Sequence, residues 1–360
     1  MLKKVIITTA GRLHFNSLKM NMLDGRGCGG IGVALTEPIL KIIFSPSDSI
    51  IVTGADIKLR KKVKNFAKNT LSYIGSNRGV NIKIVNFFSG KVGLGSGTQL
   101  GMSVGRGICS LYEKKVSLPL IAKITGRAGV SGIGYYSFSR GGLIVDGGYR
   151  MGEKEAKKNF VDHSPSPPPL TAHYSFPNKW KILLLSPKKA LPKISNLNED
   201  KLFAENTPVS TDDVGSICTN VLMGIIPSLL EKDYFNFVEY LLKIGNLGTK
   251  RIELELNRAP LNIFNNKFSY LLANKLVRKY SSNFIWQAAN RGDDLKEKYP
   301  PNQIPFLMLS SLGPTFYSIL LDDYHDIDYI MRELKRNLPN NWQATLTTVN
   351  NQPALIDGYR

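Results

Sequence analysis

Apolar residues recur at helical spacing through 57–75, where Leu59, Val63, Phe66, Ala67, Leu71 and Ile74 mark one face. The same period returns after residue 98, with Leu100, Val104, Ile108 and Leu111 on one side. Gly101, Gly105 and Gly107 weaken that helix intrinsically and imply close packing against a neighbour. Ser117-Leu118-Pro119, a serine cap and an early proline, opens another helix that stops near Gly126. Further helices are expected at 211–231, 234–244 and 322–338, the last acidic at its start and basic at its end. Its acids Asp322, Asp323, Asp326 and Asp328 read as a capped helix start rather than a metal site. Strand patterns cover 4–9, 33–35, 39–44, 80–88, 143–145, 181–185 and 316–321. Between them lie small-residue loops at 10–12, 25–32, 89–98, 127–134 and 310–315. The proline-rich stretch 163–170 can continue neither a helix nor a central strand, and reads as a linker or lid.

The chain has 360 residues, 42% hydrophobic and 21% charged. That composition fits a folded protein with more than one core, and argues against disorder. No apolar run approaches about 18 residues, so a membrane span is not expected. The short apolar stretch at 5–7 does not suggest a secretory signal. Cys28, Cys109 and Cys218 are too few and too scattered for a disulfide framework. His14, His163, His173 and His325 include no metal-binding pair, so zinc is not expected. The expectation is a protein of a reducing cytoplasm.

Charge changes the picture more. The formal net charge is +19, and it is lopsided: residues 1–160 carry 25 basic and 8 acidic side chains, residues 161–360 carry 22 and 20. A field of that kind attracts polyanions such as phosphorylated metabolites or nucleic acid. The densest run is Lys58, Arg60, Lys61, Lys62, Lys64 and Lys68, which reads as the solvated face of an amphipathic helix. Its aromatic belongs to the apolar face, so a nucleic-acid groove is not expected.

Residues 80–98 combine a strand, a glycine-rich loop and a helix start, which is anion-binding geometry. The first turn of a helix has unpaired N–H groups and a partial positive charge. The loop offers Lys91, Gly93, Leu94, Gly95, Ser96, Gly97 and Thr98: backbone that can close on phosphate, two hydroxyls and a cation. Its spacing fits neither the nucleoside-triphosphatase phosphate loop nor the dinucleotide fingerprint, so neither a nicotinamide nor a flavin is expected.

Gly93-Leu94-Gly95-Ser96-Gly97 resembles the phosphate loop of the GHMP kinase superfamily. Residues 10–14 resemble that superfamily's N-terminal substrate strand, and 310–315 its C-terminal glycine-rich motif. Members that phosphorylate an alcohol commonly carry Ser-Gly-x-Asp with the Asp as base, whereas this chain has Ser131-Gly132-Ile133-Gly134. Glycine accepts no proton, which speaks against that route. A small-molecule kinase using ATP is the alternative reading. The closer resemblance is to a non-kinase branch, the beta-ribofuranosylaminobenzene 5'-phosphate synthases. It runs through Gly29-Gly30-Ile31-Gly32, the loop 93–100, Thr125-Gly126-Arg127, 131–134 and 141–148. The chain departs from that pattern near Cys28 and near Ala128 and Val130.

The resemblance implies a two-domain α+β fold, with a GHMP-like domain at 1–162, a linker or lid at 163–176 and a ferredoxin-like sandwich at 177–350. The active site would lie in the cleft between them. It implies a decarboxylating pentosyltransferase that joins phosphoribosyl pyrophosphate to 4-hydroxybenzoate or 4-aminobenzoate. Pyrophosphate and carbon dioxide leave, in tetrahydromethanopterin-type cofactor synthesis. Magnesium and a homodimer are expected with it. The implied roles are His14 or Asp146 as base or orienting group, and the 89–98 loop as diphosphate site. Arg12, Gly29, Gly30, Arg127, Ser131, Gly132, Ser311 and Gly313 would contact substrate. Tyr135, Tyr136 and Phe138 would either wall the aromatic ring or belong to the core.

Overall fold

The structure is a computed structural model that describes residues 1–21, 25–88, 90–129, 132–150, 166–189, 208–272 and 299–360. Two long antiparallel strands start it, β1 (Lys4–Lys19) and β2 (Arg26–Ser47), followed by β3 (Ile50–Thr53), α1 (Ile57–Tyr73) and β4 (Gly79–Asn86). Next come α2 (Ser96–Leu111), α3 (Leu118–Ile124), α4 (Gly132–Ser139), β5 (Leu143–Asp146), β6 (Tyr149–Arg150) and β7 (Leu170–Tyr174). The second half opens with β8 (Trp180–Pro187), α5 (Thr211–Asn220), a π-helical turn at Val221–Ile225, α6 (Ile226–Glu231) and α7 (Tyr234–Ile244). It continues with α8 (Lys250–Leu256), α9 (Arg258–Lys267), β9 (Met308–Leu309) and β10 (Phe316–Leu321). It closes with α10 (Ile327–Asn337), β11 (Trp342–Thr347) and β12 (Leu355–Tyr359).

The strands form two sheets. One runs β12-β1-β2-β4-β3, with β5 pairing the early part of β2 and β7 pairing β5; the other runs β11-β8-β10-β9. Residues 10–12 were expected as a loop, yet they continue β1, because Ala10 and Arg12 pair with Ile39 and Ala34 across a register shift. The glycine cluster at 25–32 is likewise strand from Arg26 onward. A second register shift falls between His14 and Asn16. Such bulges bend a strand and re-aim its side chains. Within the expected linker, 170–174 form β7 on β5. Beyond the expected second domain, β12 returns to pair with β1.

The periodic helices hold. α1 is capped by Asp56, whose carboxylate accepts from the Leu59 amide, and it buries Val63, Phe66, Ala67, Thr70 and Leu71. The last helix starts at Ile327 rather than Asp322: Asp326 caps it, accepting from the Tyr329 amide, while Asp322 and Asp323 lie before it and pair with Lys181 and Lys179. One expectation is corrected: Thr211–Glu231 is long and apolar enough by composition to cross a membrane. Here Ile217, Val221, Ile225 and Leu229 turn inward and join the main core, so burial in protein accounts for their hydropathy. That core also takes residues from both sheets, such as Phe15, Val33, Phe44, Trp180 and Tyr317. A second cluster packs α9 and α10 on the smaller sheet through Phe264, Ile330, Leu334, Phe316 and Trp342.

Candidate active site

The loop before α2 is held from two sides. Gly95 caps the helix in the left-handed region at φ 74°, and no side chain caps the first turn. That leaves helix-start amides pointing outward. Arg12, buried on β1, donates from Nη1 to the Gly93 carbonyl at 2.6 Å. Ser310 Oγ donates to the same carbonyl at 2.8 Å and accepts from the His14 amide at 3.2 Å. The Ser311 amide donates to the His14 carbonyl. A Cβ at Gly93 would stand 2.3 Å from the Ser310 carbonyl oxygen, so the two small-residue turns touch and only glycine fits there. The turn at 310–313 is backed by Asn257, which donates to the Leu312 carbonyl at 3.1 Å.

At the other end, pairing puts His14 opposite Gly32 and Asp146 opposite Gly30. A Cβ at Gly30 would meet His14 Nε2 at 2.9 Å and Asp146 Oδ2 at 3.5 Å. Both side chains therefore face the same small space. A Cβ at Gly132 would meet Asp146 Oδ2 at 2.4 Å. Gly29, with φ 72°, packs on the Asp146 carbonyl. Asp146 Oδ1 accepts from the Gly148 amide at 3.0 Å. Burial pushes its carboxyl up to about 7. Burial, then Arg12 and Lys250, hold His14 well below the usual imidazole range, so its ring is neutral. Its Nδ1 is buried without a partner. Tyr136 and Tyr149 border this end. Their hydroxyls donate to the Pro168 and Ala128 carbonyls at 2.7 and 3.0 Å. Both phenols are pushed up by burial and by Asp146. Tyr135 and Phe138 are buried in the core.

Two elements join the ends. On β1, Arg12 reaches the loop before α2 and His14 the corner at Gly30 and Asp146, two residues apart. On α4, Gly132 packs on Asp146 while Gly134 packs on Thr98, its Cβ position 3.2 Å from the Thr98 side chain. A side chain at 134 would press on Thr98, which would have to shift by a few tenths of an ångström. Gln99 ties this junction, donating to the Gly134 carbonyl at 2.8 Å and accepting from Thr9. Lys91, Gly93, Leu94, Gly95, Ser96, Gly97, Thr98, Arg12, His14, Gly29, Gly30, Gly132, Asp146, Ser311 and Gly313 thus gather along one corner of the large sheet. Arg127 lies beside Gly97; its Nε donates to the Gly126 carbonyl at 2.8 Å. Ser131 and His163 lie outside the described residues.

One group carries no expectation from sequence, and a second was expected only as part of a solvated basic face. Lys250 of α8 is fully buried, paired with Glu253, and donates to the Leu309 carbonyl at 2.8 Å and the His14 carbonyl at 3.4 Å. Lys62 reaches from α1 to the start of α2. No cluster of three His, Cys, Asp or Glu among the described residues could hold a metal ion. The charged groups at the α2 start are cations, so a magnesium held there by protein carboxylates does not fit.

No protein-family model matches the chain. Solved structures share the fold over nearly the full length. Homoserine kinase from Cytophaga hutchinsonii covers 99% of this chain and 98% of its own at TM-score 0.60 and 13% identity. Mevalonate diphosphate decarboxylase from Staphylococcus aureus does so at TM-score 0.58 and 12% identity, with the same coverage. The chain therefore has the GHMP-kinase-like α+β fold. Curated relatives are closer. Beta-ribofuranosylphenol 5'-phosphate synthase from Methanocaldococcus jannaschii is 38% identical over 267 residues, 70% of this chain and 80% of its own length. The enzyme of that name from Archaeoglobus fulgidus is 37% identical over 252 residues, 69% of this chain and 78% of its own. Identity at that level over that span, on this fold, means that the chain belongs to the beta-ribofuranosylphenol 5'-phosphate synthase family.

Proposed function

We propose that the chain joins phosphoribosyl pyrophosphate to 4-hydroxybenzoate, with loss of pyrophosphate and carbon dioxide, in methanopterin-type cofactor synthesis. The observation that carries this reading is that β1 and α4 bridge an uncapped helix start and an acid–base corner. A departing diphosphate and an activated ring fit those two ends.

The ring carbon bearing the carboxylate attacks C1 of the ribose. The C1–oxygen bond breaks and its electron pair leaves with pyrophosphate. Asp146 takes the para-hydroxyl proton during the attack, which raises electron density at the attacking carbon. The carboxylate then leaves as carbon dioxide. Its bonding pair restores the aromatic ring, and Asp146 returns the proton. A carboxyl held near neutrality suits both transfers. Neutral His14 hydrogen-bonds the reacting group from the other side of Gly30. Amides of the 93–98 loop, with the Ser96 and Thr98 hydroxyls, stabilise the charge growing on the leaving oxygens. Arg12 anchors that loop, and Ser311 and Gly313 shape its far wall. Gly29, Gly30 and Gly132 let Asp146 and His14 close in beside the ring, next to Tyr136. Magnesium enters with the diphosphate as part of the substrate. Two copies form the working enzyme in the cytoplasm.

The test uses phosphoribosyl pyrophosphate, magnesium and carboxyl-labelled 4-hydroxybenzoate. Release of labelled carbon dioxide matched by pyrophosphate is the expected result. No release, with ATP consumed on an alcohol substrate instead, would replace this reading with a kinase.

A further inference from the structure

We propose that Lys62, Lys91 and Arg127 form a three-cation clamp for the diphosphate group, with Lys62 the member that sets its affinity. This rests on the reading above and deepens it. There the loop amides hold the leaving group; here its charge is met by side chains from three separate elements.

The argument starts with α1. Its basic residues Lys58, Arg60, Lys61, Lys64 and Lys68 read as a solvated face, and Lys62 looks like one of them. The fold separates it. A Cβ placed on Gly97, in the first turn of α2, would stand 3.1 Å from Arg127 Nη1 and 3.4 Å from Lys62 Nζ. Two cations thus lie at the same uncapped helix start. Lys91, in the loop that leads into the turn, acts on Lys62 electrostatically, as Arg127 does. No carboxylate among the described residues pairs with any of the three. Like charges gathered without a counter-charge repel, and a helix N-terminus adds positive potential to theirs. Such a cluster favours a polyanion.

Arg127 is preset for that role. Its backbone amide donates to the Ala122 carbonyl at 2.7 Å and its Nε to the Gly126 carbonyl, which leaves Nη1 over the turn. A planar guanidinium fixed in this way grips phosphate oxygens with little further ordering. A diphosphate carries more charge than the 5-phosphate of the same substrate, and three cations match it better. Arg127 is thereby assigned to the diphosphate rather than to the 5-phosphate or the benzoate carboxylate.

Calorimetric titration of the full chain with inorganic pyrophosphate, and separately with ribose 5-phosphate, tests this. Lys62→Met and Arg127→Met are each expected to weaken pyrophosphate by about tenfold or more. Ribose 5-phosphate should stay within about twofold. The KM for phosphoribosyl pyrophosphate should rise by the same factor as the pyrophosphate loss. Lys62→Arg should restore most of the affinity. Lys58→Met, one turn earlier on α1, removes the same charge away from the α2 start and should change neither titration. Unchanged melting curves for the variants exclude a folding defect. The clamp is overturned if Lys62→Met binds pyrophosphate as the unaltered protein does. It is equally overturned if Lys58→Met weakens it as much, or if the unaltered protein binds no pyrophosphate. Failure of the synthase reading looks different: pyrophosphate still binds and depends on Lys62, but no carbon dioxide is released.

Discussion

At the scale of single residues, Asp146 carries the sharpest consequence. Its carboxyl titrates at about 7 in the folded chain because it is buried, against about 4 when exposed. If it is the base, kcat/KM should climb through pH 7 and level off above. Asp146→Asn should lose activity by at least about a hundredfold and flatten the profile. The same burial has a stability sign. Between pH 4 and 7 the unfolded chain releases this proton and the folded chain keeps it, so stability falls as pH rises through that window. Above pH 7 the folded state bears the full cost, on the order of a few kcal/mol. Asp146→Asn should therefore be more stable than the parent in urea melts at pH 8, with the gap closing toward pH 4. An inactive variant that gained no stability would separate the residue from this buried setting. Asp146 was legible in the sequence because it ends an apolar strand between glycine pairs. The glycines of the phosphate loop were legible because close approach demands them. Lys62 was not. Helical periodicity separates inward from outward positions, but it does not say which outward lysine lies over a neighbouring element.

At the scale of elements, α8 and α9 are a part that periodicity missed. No helix was expected at 250–267, and the reason is visible in the fold. Lys250, Glu253, Asn257 and Asn265 are polar and buried, so the apolar period that marks a helix is broken there. These polar groups instead hold backbone. Lys250 clamps the carbonyls of His14 and Leu309, and Asn257 the carbonyl of Leu312. Lys250→Met would leave Glu253 buried and unpaired, at a cost of about 3–5 kcal/mol in urea denaturation. Adding Glu253→Leu should recover much of that stability, because a buried ion pair is replaceable by apolar packing. Activity should not return with stability, since the carbonyls of Leu309 and His14 would still lack their donor. Recovery of both would reduce Lys250 to a packing element. The long strands were misread for a related reason. Glycines at 11 and 25–32 look like loop, yet inside β1 and β2 they let His14, Asp146 and the α4 start approach one another.

At the scale of the molecule, the excess charge and the site share the same half. Residues 1–160 hold +17 of the formal +19, and the described cations at the start of α2 all come from that half. The second sheet contributes the turn that braces the loop, and little net charge. The charge asymmetry was legible from composition alone, but where the cations gather was not: the fold brings Lys62, Lys91 and Arg127 near the start of α2. A positive field over a concave corner raises the encounter rate of an anionic substrate, and salt screens that field with a Debye length of about 10 Å at 0.1 M. Phosphoribosyl pyrophosphate should feel it strongly, and 4-hydroxybenzoate, with one charge, weakly. Raising ionic strength at constant free magnesium should therefore lower kcat/KM for the sugar diphosphate by about tenfold between 0.05 and 0.5 M. The kcat at saturation should stay nearly level, because the bound diphosphate is shielded from solvent ions by the loop and its cations. Steady-state rates across a salt series, with each substrate varied in turn, decide it. An equal fall for both substrates would place the charge outside the path of the diphosphate. A fall in kcat instead would mean that salt reaches the clamp itself.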